Sequence, residues 1–383
     1  MQGTAFQEAI ESPAMMSRFQ LGDPVPWFDA KTLANASINL GVVAGRWVAL
    51  CFLNVLDRDA EATRALAELL GEARLFDDDH LVFYGVLTEP PQEAAQLAAV
   101  SHKALGFIAD YTGDISRMFG ATNASRLIVL DPLLHVYGDF PLSTPPDVLR
   151  KFLRDLPKVD DFAGVPLTAP ALVVPRVFES EFCDYLIDLY EKNGGVDSGF
   201  MLDQDGKTAT IVNYNLKRRH DFVIDDKGVR DQMRDRIVRR LIPAIERFFQ
   251  YKPTRMDRYL VSRYDAATGG HFARHRDNVN AGARHRRFAV TINLNRDYEG
   301  GDLLFPEFGR RLYRAPHGGA IAFSTGTLHQ VTPVTRGNRY AFIPFLYGEE
   351  DAQLREANNI LLQSGEILYV AGRDKLFPET VAS

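Results

Sequence analysis

His275-Arg276-Asp277, Phe288-Ala-Val-Thr-Ile-Asn-Leu294, Tyr298-Glu-Gly-Gly-Asp-Leu303 and Leu328-His-Gln-Val-Thr-Pro-Val-Thr-Arg-Gly-Asn-Arg339 follow one another in a single run of chain that begins near Tyr264. In extended backbone, side chains two apart leave on the same side, with roughly 7 Å between their Cα atoms. His275 and Asp277 can therefore converge on one ion about 2.1 Å from each ligand atom, while Arg276 faces the other way. A third ligand has to come from another strand. Gly318-Gly-Ala-Ile-Ala-Phe323 reads as a strand, Thr325-Gly326 as a turn, Leu328-His-Gln-Val331 as the start of the next strand and Arg339-Tyr-Ala-Phe-Ile343 as the one after. An antiparallel double-sheet jelly roll brings such distant strands together, placing His329 beside His275 and Asp277. Two imidazoles and one carboxylate on a triangular face suit mononuclear non-haem iron with open positions.

Arg339 follows from charge. A 2-oxo acid bound to iron through its keto oxygen and adjacent carboxylate leaves its far carboxylate deep in the barrel, where an unpaired charge is costly. A guanidinium there forms a bidentate, charge-assisted pair. Arg336 competes for the role, but Gly337 beside it marks a turn, so Arg339 is preferred.

Upstream of this run, Arg255 to Tyr264 alternates as a strand and Gly269-Gly270 turns the chain into His271. Arg230 to Phe249 is a long amphipathic helix interrupted by Pro243, which predicts a kink or two helices. Thr210-Ile-Val-Asn-Tyr-Asn215 reads as a strand, and Ser180 as the cap of a helix carrying Phe182, Tyr185, Leu186 and Leu189 on one face. Pro157 to Pro170, with three prolines and no helical period, is the domain boundary.

Before it the pattern changes. Trp47-Val-Ala-Leu-Cys-Phe-Leu53 and His80-Leu-Val-Phe-Tyr-Gly-Val-Leu87 are continuous apolar runs of strand length. Helical spacing of Ala62, Ala65, Leu66, Leu69 and Leu70 separates them. Pro91 to Ser101, Ile115 to Phe119 and Pro146 to Leu156 are further helices, and Arg126 to Leu130 is a further strand. Alternating strands and helices predict an α/β layer. At 383 residues the chain is too long for one core, so two domains are expected. A composition 46% hydrophobic and 25% charged, with net charge -6, is globular and gives no electrostatic reason to expect nucleic acid. Two separated cysteines exclude a disulfide framework and a cysteine zinc site. With no signal peptide and no long apolar span, a cytoplasmic protein without membrane contact is expected.

Two resemblances complete the reading. Leu21-Gly-Asp-Pro-Val-Pro-Trp-Phe28, Gly45-Arg-Trp-Val-Ala-Leu-Cys-Phe52, Asp114-Ile-Ser-Arg-Met-Phe-Gly120 and Leu127-Ile-Val-Leu-Asp-Pro132 resemble the peroxiredoxin branch of the thioredoxin fold. That family places its peroxide-reacting cysteine at the start of the helix after the Trp47-type strand. Here Asn54-Val-Leu-Asp-Arg-Asp-Ala-Glu-Ala-Thr63 holds no sulfur. Cys51 lies within the apolar strand, where burial disfavours a thiolate, so the domain is read as lacking peroxidase activity. Residues of about 170–350 resemble the 2-oxoglutarate- and Fe(II)-dependent oxygenases of the prolyl 4-hydroxylase-like branch, and PKHD-type hydroxylases in particular. The resemblance implies His275, Asp277 and His329 as iron ligands and as the catalytic centre. It implies Arg339, Tyr264 and, where some relatives use a tyrosine, Asn293 at the co-substrate.

The expected organisation is an N-terminal arm over 1–19, an α/β thioredoxin-like (redoxin) domain over 20–157, and a linker over 158–170. A double-stranded β-helix (jelly roll) with flanking helices follows over 171–383. The expected activity is hydroxylation of peptidyl proline, an amino acid or a small metabolite, consuming O2 and 2-oxoglutarate and releasing succinate and CO2, with ascorbate as reductant. A homodimer through the redoxin-like domain is the expected self-association. The competing readings are a non-enzymatic binding or sensor protein, which would bind neither iron nor 2-oxoglutarate, and a peroxidase dependent on Cys51. His80, His102, His135 and His220 are read as structural, His271 and His285 as flanking the site, and Arg284-His-Arg-Arg287 as either a solvated face or a receptor for an acidic substrate.

Overall fold

The computed structural model describes residues 19–54, 60–92, 94–204, 207–362, 369 and 374–377; the expected N-terminal arm lies outside them apart from Phe19. The chain divides into two compact units. One runs to Thr168 and takes in Pro306–Arg310; the other holds Ala169–Phe305 and the chain from Arg311 onward.

In the first unit, Trp47–Leu53 and Leu81–Leu87 are buried at every position and pair in parallel, Trp47 opposite Leu81. Leu105–Ala109 continues the parallel set. Arg126–Leu130 and then Val136–Pro141 extend the other flank antiparallel, completing a five-stranded sheet. Parallel neighbours need a crossover. The helix Ala60–Leu70 supplies one, burying Ala62, Ala65, Leu66 and Leu69, and Ala94–Val100 supplies the next. This is a thioredoxin-like α/β layer. Cys51 is wholly buried in its central strand, and burial pushes its thiol far above the ordinary range. Val55–Asp59, part of the stretch without sulfur, lie outside the described residues.

The second unit is a jelly roll of two antiparallel sheets. The larger has nine strands, with Leu260–Asp265 between His220–Val223 and Asn338–Phe342, and Phe288–Asn293 beyond. The smaller has five, in the order Lys217–Arg218, His271–His275, His329–Val331, Leu303–Leu304, Leu312–Tyr313. Helices Ser180–Asn193, Lys227–Arg240 and Ile242–Phe249 cover one face of the larger sheet. Leu186, Met233, Ile237 and Ile245 there share a core with Val261, Val290, Ile292 and Phe342. Strand alternation sends Thr291, Asn293, Arg339 and Tyr264 to the opposite face. Among the described residues no helix is long and apolar enough to cross a membrane.

The interruption expected at Pro243 gives two helices, Lys227–Arg240 and Ile242–Phe249, which meet at Leu241. Three local expectations are corrected. Arg255 to Tyr264 is two strands, Arg255–Asp257 and Leu260–Asp265, separated where Arg258 adopts φ 61. A left-handed residue cannot continue a strand. Ser180 begins its helix but does not cap it. Glu179 holds the cap position and turns its carboxylate to Arg236 at 2.7 Å and to Arg240 instead. The strand expected over 210–215 is Lys207–Ile211, because it pairs as a hairpin with Phe200–Gln204.

Candidate metal centre

The two imidazoles meet because their strands are neighbours. His275 lies opposite His329 in the ladder between His271–His275 and His329–Val331, and a register shift between Phe272 and His275 marks a bulge there. Bulges re-aim side chains. The ring centroids lie 4.2 Å apart. Asp277 stands beyond the strand end, where its amide donates to the Thr325 carbonyl at 2.9 Å. Its carboxylate comes back between the rings, Oδ1 3.5 Å from His275 Nε2 and Oδ2 3.3 Å from His329 Nε2. One ligand atom from each of the three residues lies within 4.8 Å of the others. Nitrogen and oxygen ligands about 2.1 Å from a cation span such separations.

His275 Nδ1 lies 2.8 Å from the Ala273 carbonyl and His329 Nδ1 lies 3.0 Å from the Thr327 carbonyl. A carbonyl only accepts, so each Nδ1 donates to backbone, and each Nε2 is the atom turned toward the Asp277 carboxylate. Burial, with His329 beside it, pushes His275 down to about 4, so it is neutral. Burial alone would raise the Asp277 carboxyl, but the imidazoles against it outweigh that and hold it well below the usual range. Phe272 stacks on His275 at 3.5 Å and Phe323 meets His329 edge-on at 4.6 Å. The His275 side chain is 19% exposed and that of His329 6%, so the centre opens on the His275 side.

Arg339 stands opposite Tyr264 in the larger sheet and is 2% exposed. Its Nη2 donates to Thr291 Oγ1 at 2.8 Å and to Asn293 Oδ1 at 3.1 Å, and its Nε donates to the same Asn293 oxygen at 3.2 Å. Nη1 is buried without a hydrogen-bond partner. A desolvated guanidinium with Nη1 unpartnered and, among the described residues, no carboxylate within ion-pair distance fits an incoming anion. Tyr264 packs its ring against Arg339, centroid to Cζ 5.2 Å, and its hydroxyl accepts from Arg219 at 3.4 Å. The competitor Arg336 is exposed and pairs with Glu299.

Asn293, expected at the co-substrate, has its side chain committed elsewhere. Its Oδ1 accepts from Arg339, and its Nδ2 donates to the Tyr298 hydroxyl and the Ala315 carbonyl, both at 2.8 Å. It holds Arg339 in place. Thr291 was missed, although it shares a strand face with Asn293 two residues on and the same alternation would have found it. Tyr298-Glu-Gly-Gly acquires a physical reason. Gly301 has φ 66, and a Cβ there would lie 3.0 Å from Arg339 Cδ and 2.9 Å from Val334. His271 is tied to backbone, Nδ1 to the Gly269 carbonyl at 2.8 Å. His285 is buried against Asp257 at 3.5 Å.

A family model described as the 2OG-Fe(II) oxygenase superfamily matches residues 259–347. A PKHD-type hydroxylase of Maricaulis maris (strain MCS10) is 32% identical over 173 residues, which are 44% of this chain and 73% of that protein. The viral collagen prolyl hydroxylase of Paramecium Bursaria Chlorella virus-1 covers 47% of this chain and 96% of its own, at 17% identity and a TM-score of 0.35. Peroxidoxin BcpB of Mycobacterium tuberculosis covers 37% of this chain and 100% of its own, at 18% identity and a TM-score of 0.31.

Proposed function

The chain belongs to the PKHD-type hydroxylases of the 2OG-Fe(II) oxygenase superfamily, and from that membership we propose that its second unit performs Fe(II)- and 2-oxoglutarate-dependent hydroxylation. One substrate C–H becomes C–OH, O2 is consumed, and 2-oxoglutarate leaves as succinate and CO2. The observation that carries the reading is the His275–Asp277–His329 set, whose ligand atoms lie within 4.8 Å of one another with both Nδ1 atoms tied to backbone carbonyls.

Ferrous iron, when bound, supplies the oxidising chemistry. The chain supplies the rest. His275, Asp277 and His329 would hold the ion, and the Asp277 carboxylate would offset part of its charge. Arg339 presents Nη1 to the far carboxylate of 2-oxoglutarate, and Thr291 and Asn293 prevent the guanidinium from turning away. The Tyr264 ring lies against the guanidinium, 5.2 Å from Cζ, and covers that side of it. Phe272 and Phe323 wall the imidazoles.

The test is metal content together with conversion of 2-oxoglutarate to succinate in the presence of ascorbate. His275→Ala and Asp277→Ala are each expected to lose both. Full turnover in both variants would refute the assignment.

A further inference from the structure

Arg219 holds Asp221 at 2.6 Å, and Arg255 holds Glu349 at 2.6 Å and Asp374 at 3.1 Å, so these two buried cations of the unit are paired. Buried Lys217 and Arg286 and half-buried Arg258 are not. Lys217 is 3% exposed, and its Nζ has one partner, the Gly199 carbonyl at 2.6 Å. It lies over the Phe272 ring at 5.0 Å, and that ring is stacked on His275. Arg286 is 7% exposed. Its Nη1 is 3.4 Å from the Asp277 carbonyl, its Nη2 3.7 Å from Met201 Sδ, and its Nε has no partner. Arg286 and Arg258 both pack on the Phe345 ring, at 4.1 and 4.9 Å. Among the described residues no carboxylate lies within ion-pair distance of Lys217, Arg258 or Arg286.

The carboxylates whose fields reach them are already engaged. Asp277 faces the imidazoles, Asp257 faces His285 and Arg355, and Asp221 is held by Arg219. Desolvation, reinforced by Arg219 and Arg258, pulls the Lys217 ammonium well below its ordinary value despite Asp221 and Asp277. Two buried cations without a counter-ion, with the half-buried Arg258 beside them, are costly unless a ligand supplies one.

We propose that Lys217, Arg258 and Arg286 form a receptor for an anionic group, a carboxylate or a phosphate, on the molecule that is hydroxylated. The proposal rests on the oxygenase reading above and adds the substrate's charge to it. Arg339, with its own free donor, serves 2-oxoglutarate; this second set serves the other reactant. A neutral analogue would leave the three cations unmatched, so the receptor discriminates by what it rejects as well as by what it holds.

The test uses the full chain loaded with Mn(II) and saturating 2-oxoglutarate, a pair that does not turn over. Binding of both is verified first, by Mn(II) magnetic resonance and by calorimetry. Nuclear relaxation is then read for acetate, inorganic phosphate and acetamide, per bound metal. Acetate or phosphate is expected to show saturable enhancement about tenfold above acetamide, and K217M and R286M to lose most of it while K217R keeps it. Whichever anion responds more strongly identifies the group. Enhancement equal for acetamide and both anions overturns the receptor. Anion enhancement unchanged in both methionine variants also overturns it, because the anion then sits on the metal itself. Loss of 2-oxoglutarate binding in those variants overturns it too, by reassigning the cations to the co-substrate. A protein that binds neither Mn(II) nor 2-oxoglutarate overturns the oxygenase reading and the receptor with it.

Discussion

Asn293 and Thr291 together define where the Arg339 guanidinium points, and their removal is expected to separate affinity from chemistry. Arg339→Gln removes a charge-assisted partner worth about 1.5–3 kcal/mol, so the dissociation constant for 2-oxoglutarate should rise by roughly 10- to 100-fold with metal content unchanged. Asn293→Ala leaves the charge but frees the fork, and should raise that constant by a smaller factor, about tenfold or less. Calorimetric titration of 2-oxoglutarate into both variants measures this. An Asn293→Ala protein that binds as the wild type does would show that the arginine is held by other means. The convergence of His275, Asp277 and His329 and the inward place of Arg339 were legible in the sequence, because residue spacing and strand order set them. Lys217 and Arg286 were not, because what distinguishes them is the lack of a carboxylate partner, and partners are set by strands far apart in the chain. Asn293 was located correctly on its strand face, but its commitment to Tyr298 and Ala315 is a tertiary fact.

At the scale of elements, the turn holding Gly300 and Gly301 is the sharpest test. Gly300 has φ 70, and a Cβ would lie 2.1 Å from the Pro333 carbonyl oxygen. Gly300→Ala combines left-handed strain with a backbone clash, so a loss of about 2 kcal/mol or more is expected. Urea denaturation followed by far-ultraviolet circular dichroism reads it; a midpoint within error of the wild type would contradict the geometry. Strands read well from sequence where burial imposed a pattern, as in Trp47–Leu53 and Phe288–Asn293. They read poorly where one residue broke them. Arg258 at φ 61 carries no compositional signal, since arginine has no special claim on that conformation. The cap at Glu179 was misread because the competition came from Arg236 and Arg240, one helix away.

At the scale of the whole molecule, two units with separate cores differ in what can act on them. On the proposed function Mn(II) and 2-oxoglutarate bind the folded second unit, so each at about 100 times its dissociation constant should add ~2.7 kcal/mol to that unit's stability. Scanning calorimetry should show a transition that rises with ligand in the wild type and does not move in Asp277→Ala. In the first unit, Cys51 is sealed in a central strand with its thiol far above the ordinary range. Peroxide consumption by Cys51→Ser should therefore equal that of the wild type, and a native-state maleimide should not label this position; a rate that falls on substitution would restore a redox role. The division into an α/β layer and a jelly roll was readable from the change of pattern on either side of the proline-rich boundary, whereas the sheet order depended on long-range pairing. One feature of the jelly roll bears on how such a chain can change over time. Val290 and Ile292 point one way from their strand and Thr291 and Asn293 the other. Inserting or deleting a single codon inside that stretch would turn it over, delivering hydrocarbon to the guanidinium and amide to the oil. Its letters can drift, but its length is pinned by two unrelated demands at once.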